Sequence, residues 1–180
     1  MRLAVLAGSL IGLACGAAAA EPPAAQAPPG IPPKTVSSLT VYPKTDPPKV
    51  VSSYPAAGET IASGVLVVRI TFDQPMDEDS FDVTAGAEGP EPNCLKTPRR
   101  LNDEKSFVLL CTTAPNSRYA LALNAGKQGG FANLGGTRAA TAELVFSTDG
   151  SDRGPRSVPD AMKAAKLSDL DMPIREGTYF

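Results

Sequence analysis

Five acidic side chains form the group in this chain that is best suited to bind an ion. Asp73, Asp77, Glu78, Asp79 and Asp82 lie within ten residues of one another, at the end of an apolar segment. Calcium takes about six to eight oxygen ligands, often several carboxylates, so Asp73, Asp77 and Asp79 are the candidate ligands. Their spacing fits no defined calcium loop. We therefore favour a solvated turn in which Asp77 or Asp79 bonds to turn amides, and we predict no metal site.

The sequence contains no histidine, which excludes most common catalytic sites. Nucleophilic sites of the Ser-His-Asp and Cys-His types, His-ligated metals and the usual general base at neutral pH all need this residue. No glycine-rich phosphate loop follows a strand and precedes a helix. We expect neither enzymatic activity nor a cofactor.

Two of the three cysteines are predicted to form a disulfide. Cys15 lies in an N-terminal apolar segment, which leaves Cys94 and Cys111 as a pair. In an oxidising compartment such a pair is a natural disulfide, and a loop of this length would contribute about 3 kcal/mol. The alternative is two separate buried thiols.

Residues 1–20 have the features of a secretory signal peptide. Arg2 precedes an apolar stretch that ends at Cys15, and small residues stand before Glu21. The apolar stretch is shorter than the roughly 20 residues that span a bilayer, so no transmembrane segment is expected after cleavage. This predicts a periplasmic or secreted protein. The alternative is an outer-membrane lipoprotein, because Leu13-Ala14-Cys15-Gly16 resembles a lipidation signal in which Cys15 is modified.

Residues 21–46 form a predicted proline-rich linker. Within it, Pro-Pro-Lys-Thr-Val-Ser-Ser at residues 32–38 is echoed by Pro-Pro-Lys-Val-Val-Ser-Ser at residues 47–53. The second copy is predicted to open the first strand, and the first copy to be an extended segment along the domain.

The chain without Arg2 has 16 basic and 19 acidic residues, one basic residue fewer than the full sequence. With no basic patch, no nucleic-acid partner is expected.

Residues 47–149 show the pattern of an all-β antiparallel sandwich. Leu66, Val68, Ile70 and Phe72 alternate with Arg69 and Thr71, which predicts a half-buried strand. Residues 106–112 are apolar at nearly every position, as in a strand buried on both faces. The seven predicted strands are 49–54, 65–72, 80–84, 93–96, 106–112, 118–124 and 142–148. In the tail, 150–180, a short helix over 160–170 is predicted, and it would need a surface on which to dock.

Five segments in order resemble the bacterial immunoglobulin-like (Ig-like) domain of the SbsA type, found in S-layer and other envelope proteins. The resemblance covers residues 47–148 and implies an Ig-like, non-enzymatic module. Phe72-Asp73-Gln74-Pro75-Met76-Asp77 resembles the family's strand-ending motif, which gives Phe72, Pro75, Met76 and Asp77 a structural role. The other similar segments are 48–58, 115–121, 131–134 and 144–148. Cys94 and Cys111 are an addition to the family pattern.

Tyr119 begins a strand just after a turn, where β-sandwiches place a tyrosine corner whose hydroxyl bonds to nearby backbone. Its predicted role is structural.

Taken together, these features of the sequence predict an exported interaction module that contacts an unidentified envelope protein through strand edges, loops or the tail. The alternative is a calcium- or glycan-binding module that uses the acidic turn Asp73–Asp82.

Overall fold

The structure is a computed structural model that describes residues 41–151 and 153–174. The predicted signal peptide, Cys15, most of the linker and the first repeat copy lie outside the described residues. The elements are β1 (Val50–Tyr54), β2 (Thr60–Ile61), β3 (Gly64–Phe72), β4 (Val83–Ala85), β5 (Asn93–Cys94), β6 (Arg99–Arg100), β7 (Ser106–Thr113), β8 (Arg118–Leu123), β9 (Ala142–Thr148), the helix α1 (Val158–Ala164) and a 3₁₀ helix (Asp169–Asp171).

The strands form two sheets that pack face to face, as predicted. Sheet 1 has the order β1-β3-β7-β5, with β6 also paired to β7, and sheet 2 has the order β2-β9-β8-β4. All pairs are antiparallel except β2 with β9. Without the two-residue strands β2 and β6, this is the A-B-E-D and G-F-C order of an immunoglobulin constant-type sandwich. The prediction of an all-β sandwich with a short C-terminal helix is confirmed.

The core between the sheets is aliphatic and phenylalanine-rich. Phe72, Phe107 and Phe131 are almost fully buried, and their ring centroids lie 4.9–6.1 Å apart. The other buried members from the long strands are Leu66, Val68, Ile70, Leu109, Cys111, Tyr119, Leu121, Leu123, Leu144 and Phe146. These positions alternate along β3, β8 and β9, which is why the period-two pattern located the strands.

The outer face of sheet 1 is covered in part, so β3 is more buried than the half-buried strand that was predicted, although Val65, Arg69 and Thr71 on that face remain partly exposed. Val67 of β3 and Val108 of β7 are fully buried there, against Ala161 and Met162 of α1. The predicted burial of β7 on both faces agrees with the structure. The domain's contacts therefore continue past residue 149 into the C-terminal segment.

The helix lies earlier than the sequence analysis placed it. Ser157 caps α1, because its side chain accepts a hydrogen bond from the Asp160 amide, and Pro159 occupies the first turn. The helix ends before Lys166, whose φ is 55°. Residues 169–171 form the separate 3₁₀ helix. Ser157 and Pro159 were the sequence signals for the true start.

Several strand bounds also differ from the predictions. Residues 80–82 and 95–96 are not in strands, and the two-residue strands β2 and β6 were not predicted. Such short strands have no periodicity to detect. They exist because β9 and β7 offer edges to the passing chain.

The disulfide joins Cys94 of β5 to Cys111 of β7, which lie directly opposite each other in sheet 1. The two residues are 17 apart in the sequence. Cys111 belongs to the inner core, and Cys94 packs against that core. The bond therefore fixes the two-residue strand β5, which has little ladder of its own, to the edge of β7.

Replacing both Cys94 and Cys111 with alanine should lower the free energy of unfolding by about 3 kcal/mol, because the unfolded chain regains the entropy that the closed loop denies it. Urea denaturation of the variant and of the parent measures the difference. The parent treated with a reductant should unfold with the variant. Equal midpoints for the oxidised parent and the variant would contradict a stabilising bond.

The turn before β7 is held by Asp103. Its Oδ1 accepts hydrogen bonds from the amides of Lys105 and Ser106 at 2.9 and 2.8 Å, and its Oδ2 accepts from the Ser106 hydroxyl at 2.6 Å. Partial burial acts to raise the pKa of Asp103, but the bonds from Ser106 and Lys105 and the charge of Arg69 outweigh it. The pKa of Asp103 is therefore held below its usual value.

A carboxylate whose pKa is lower in the folded state than in the unfolded state stabilises the fold at pH values above its ordinary pKa of about 4. It loses that stabilisation as the pH falls through the pKa of the folded state. Asp103→Asn should therefore lower the melting temperature at pH 7, and the gap to the parent should narrow below about pH 4. Melting curves from pH 2 to 7 test this. The neighbouring Glu104→Gln should follow the parent, and a pH-independent gap for Asp103→Asn would refute the assignment.

Candidate interaction site

Within residues 41–151 and 153–174, two strand edges lie on the same flank of the sandwich without a neighbouring strand along their length. In that part of the chain, β1 pairs only with β3. β9 pairs with β8 along its length, but on its other side β2 reaches only Ser147 and Thr148. Among the described residues, no strand pairs with the first five residues of β9 on that side. We call the surface between β1 and residues 142–146 the open flank.

A pocket of about 210 Å³ lies between these two edges. Val50, Ser53 and Ala57 line it on the β1 side, and Ala142, Glu143 and Leu144 line it on the β9 side. Ile70 and Leu123, two buried core residues, complete its lining. The open flank thus leads from exposed backbone to an apolar cavity that can receive a small side chain.

The backbone of β9 presents hydrogen-bonding groups to this flank. The Val145 carbonyl accepts a hydrogen bond from the Gly58 amide at 2.7 Å, and the Ser147 amide donates to the Glu59 carbonyl at 2.9 Å. Alternate residues of an antiparallel strand direct these groups to the same side. The amide and carbonyl of Glu143 therefore face the open flank.

The side chain of Glu143 is directed elsewhere. Its Oε1 accepts hydrogen bonds from the amides of Ala87 and Glu88 at 2.7 and 3.3 Å. These contacts occupy the carboxylate that would otherwise protect the edge of β9 by charge. The open flank is consequently an edge with its backbone exposed and its one acidic side chain engaged.

The edge of β1 has only one of the usual protections, a bulge. Natural edge strands are blunted by lysine, proline, bulges or short length. Val50–Tyr54 contains no charged residue and no proline, and Val51 is 60% exposed. A bulge between Val50 and Ser52 is its only irregularity. By contrast, the opposite edges of the described sheets are two or three residues long, in β4, β5 and β6.

Tyr54 closes the upper end of β1. Burial, followed by the negative charge of Glu59, raises the pKa of Tyr54 above its usual value. The phenol therefore stays neutral at physiological pH and adds no charge near the open flank.

The acidic turn does not assemble as a metal site. Asp73 accepts a hydrogen bond from the Lys49 amide at 3.0 Å, and Asp77 accepts one from the Asp79 amide at 2.8 Å. Among the described residues, no three acidic, cysteine or histidine side chains are grouped so that they could hold a metal ion. The contact of Asp77 is the turn-amide bond of the favoured interpretation.

The strand-ending motif closes the base of the sandwich. Phe72 and Met76 are buried, Pro75 is exposed, and Met76 forms a β-bridge with Asn133. The Met76 carbonyl accepts a hydrogen bond from Arg100 at 2.6 Å, and the Asp77 amide donates to the Ala132 carbonyl at 2.9 Å. These contacts hold the turn to the loop before β9 and to β6.

The hydroxyl of Tyr119 accepts a hydrogen bond from the Ala114 amide at 2.7 Å, which is the backbone contact that the tyrosine-corner prediction requires.

Asn124 is 1% exposed, and no role was predicted for it from the sequence. Its Nδ2 donates to the carbonyls of Phe131 and Ala139 at 2.9 and 3.0 Å, and its Oδ1 accepts from the Phe131 amide at 2.7 Å. The signal was an asparagine directly after an alternating strand.

No helix within the described residues is both long and apolar enough to cross a membrane.

No protein-family model matches the chain, and no curated protein matches it either. Among the solved structures that are similar to it are a CopC protein and an S-layer protein. CopC from Methylosinus trichosporium OB3b is 13% identical with a TM-score of 0.39, over 57% of this chain and 93% of CopC. The S-layer protein rSbsC is 17% identical with a TM-score of 0.39, over 57% of this chain and 14% of the S-layer structure. Likenesses this distant assign no family and no function.

The open flank predicts a difference in hydrogen-exchange rate between neighbouring backbone amides of β9. The Glu143 amide should exchange on the order of a hundredfold faster than that of Leu144, because Leu144 faces β8 and Glu143 faces the flank. The Ser147 amide is a matched control, since it lies on the same side as Glu143 but is bonded to Glu59. NMR exchange of the parent measures all three. Equal protection of Glu143 and Ser147 would mean that the edge is covered.

Proposed function

We propose that this protein is an exported, non-enzymatic, Ig-like module of the SbsA type that mediates protein–protein contacts at the bacterial envelope. The observation that carries the proposal is the open flank with its pocket between two edges. The partner contributes an extended segment that lies along this flank. The signal peptide at residues 1–20 and the linker at residues 21–46 support the export and the spacing of the domain 47–149 from its attachment point.

Strand addition fits the chemistry of this surface. An added strand obtains affinity from main-chain hydrogen bonds to an exposed edge, and specificity from pockets that take alternate side chains. The open flank offers the backbone groups of Glu143 and a pocket lined by Val50, Ile70 and Leu144. These features select an extended segment with a small apolar or β-branched side chain at the pocket.

The absence of histidine and the engagement of Asp73 and Asp77 by backbone amides both favour binding through shape over catalysis. The same amide contacts weaken the case for a calcium- or glycan-binding module at the acidic turn. Export places the protein in the periplasm or outside the cell. Attachment through lipidated Cys15 is the alternative location and would leave the open flank available.

A photo-crosslinking residue at the exposed position Val51, in the full chain expressed in its native envelope, tests the proposal. The adducts should map to an extended segment of the partner. Ala57→Lys should lower the adduct yield about tenfold, the effect of roughly 1.4 kcal/mol in binding, because it places a charge at the rim of the pocket. Ala57 is exposed, so the fold should be retained.

Ala85→Lys is the matched control, since Ala85 is also exposed but lies in β4, at the opposite edge of sheet 2. It should leave the adduct yield unchanged. If Ala57→Lys gives as much adduct as Ala85→Lys, the open flank is not the binding site.

A further inference from the structure

We propose that a second copy of this chain supplies the strand that binds the open flank, through its residues 32–38. This inference rests on the proposed function and names the partner of that site. Each molecule would then carry one donor segment, residues 32–38, and one acceptor surface, the open flank.

The sequence of the donor resembles an edge strand of this same fold. Residues 32–38 differ from residues 47–53 only in having Thr35 where the second copy has Val50. The second copy provides most of β1, which is an edge strand of this fold. Its Val50 packs toward the core, and its Val51 is exposed. The donor sequence therefore has a composition that already forms an edge strand in this sandwich.

The donor fits the open flank in length and in the size of its side chains. Pro32 and Pro33 have no amide hydrogen, so residues 34–38 are the part of the donor that can form a full ladder. This is long enough to cover the open stretch of β9, which runs from Ala142 to Leu144 because the Val145 carbonyl is already bonded to the Gly58 amide. Thr35 and Val36 are small β-branched side chains, one of which would face the pocket of about 210 Å³.

The charges of the donor and of the open flank are compatible. Lys34 is the only charged residue of the donor. The charged residue of the pocket lining, Glu143, directs its carboxylate to the amides of Ala87 and Glu88. Neither partner therefore has to bury an unpaired charge in the apolar part of the interface.

The contacts of the segment before β1 favour a donor from a second molecule over a donor from the same chain. Thr45 donates a hydrogen bond to Gln74 and accepts one from Asn133, at 2.8 and 2.6 Å, and Pro48 is fully buried. The segment that precedes β1 is thus bound along the base of its own domain. A donor from a second copy can reach the open flank without disturbing these contacts.

A donor and an acceptor on different surfaces make a heterologous contact, which generates open chains or rings. It also permits a complementation experiment. Val36→Pro with Ser37→Pro removes the amide that would face β9 in either register, because consecutive amides of a strand point to opposite sides, and disables the donor alone. Ala57→Lys disables the acceptor alone.

Sedimentation of the full mature chain should show a mass that rises with concentration. The donor-disabled variant and the acceptor-disabled variant should each sediment as monomers. An equimolar mixture of the two should form a one-to-one dimer and nothing larger, because only one productive contact remains. Ala24→Pro with Ala25→Pro, which adds two prolines outside the repeat, should associate like the parent.

A parent that stays monomeric at every concentration would overturn the inference, as would a mixture of the two variants that stays monomeric. If the donor-disabled variant associates like the parent while Ala57→Lys does not, residues 32–38 are not the donor, although the open flank still binds. The proposed function fails separately, when Ala57→Lys has no effect on crosslinking from Val51.

Discussion

Strand β3 is buried along its inner face and at Val67 on its outer face, and the other layers of the molecule pack against one face or the other. Its inner residues, such as Ile70 and Phe72, meet the side chains of sheet 2. Its outer residue Val67 meets α1. β1 and β7 pair with its two edges, so four directions of packing converge on nine residues. A strand so enclosed cannot shift its register without disturbing every layer at once.

This central position explains why the open flank is where it is. With β3 fixed, β1 becomes the edge of sheet 1, and the crossing to β2 places that short strand beside only the last residues of β9. The first residues of β9 are left uncovered by the same geometry. The site is therefore a product of how the chain passes between the sheets, and no special residue type creates it.

The long strands could be predicted because their side chains alternate between a buried and a less buried face, and the prediction for β9 has the same bounds as the structure. The burial of the outer face was missed, although the continuous apolar run at Val65–Val68 is typical of a strand covered on both sides. β2 and β6 have no pattern of their own. The open flank could not be predicted in detail, because whether an edge is covered depends on which strands become neighbours, and the sequence of β1 or β9 alone does not determine that.

The disulfide joins two neighbouring strands within one sheet and does not link the two sheets to each other. Between its cysteines lies the turn at residues 102–104, which is exposed to solvent. A protease that cut the backbone at this turn would produce two pieces that remain covalently linked. The nicked molecule would keep β5 beside β7, and both halves of the sandwich would stay at high local concentration. The bond thus gives the domain tolerance to a single cleavage at one of its accessible turns.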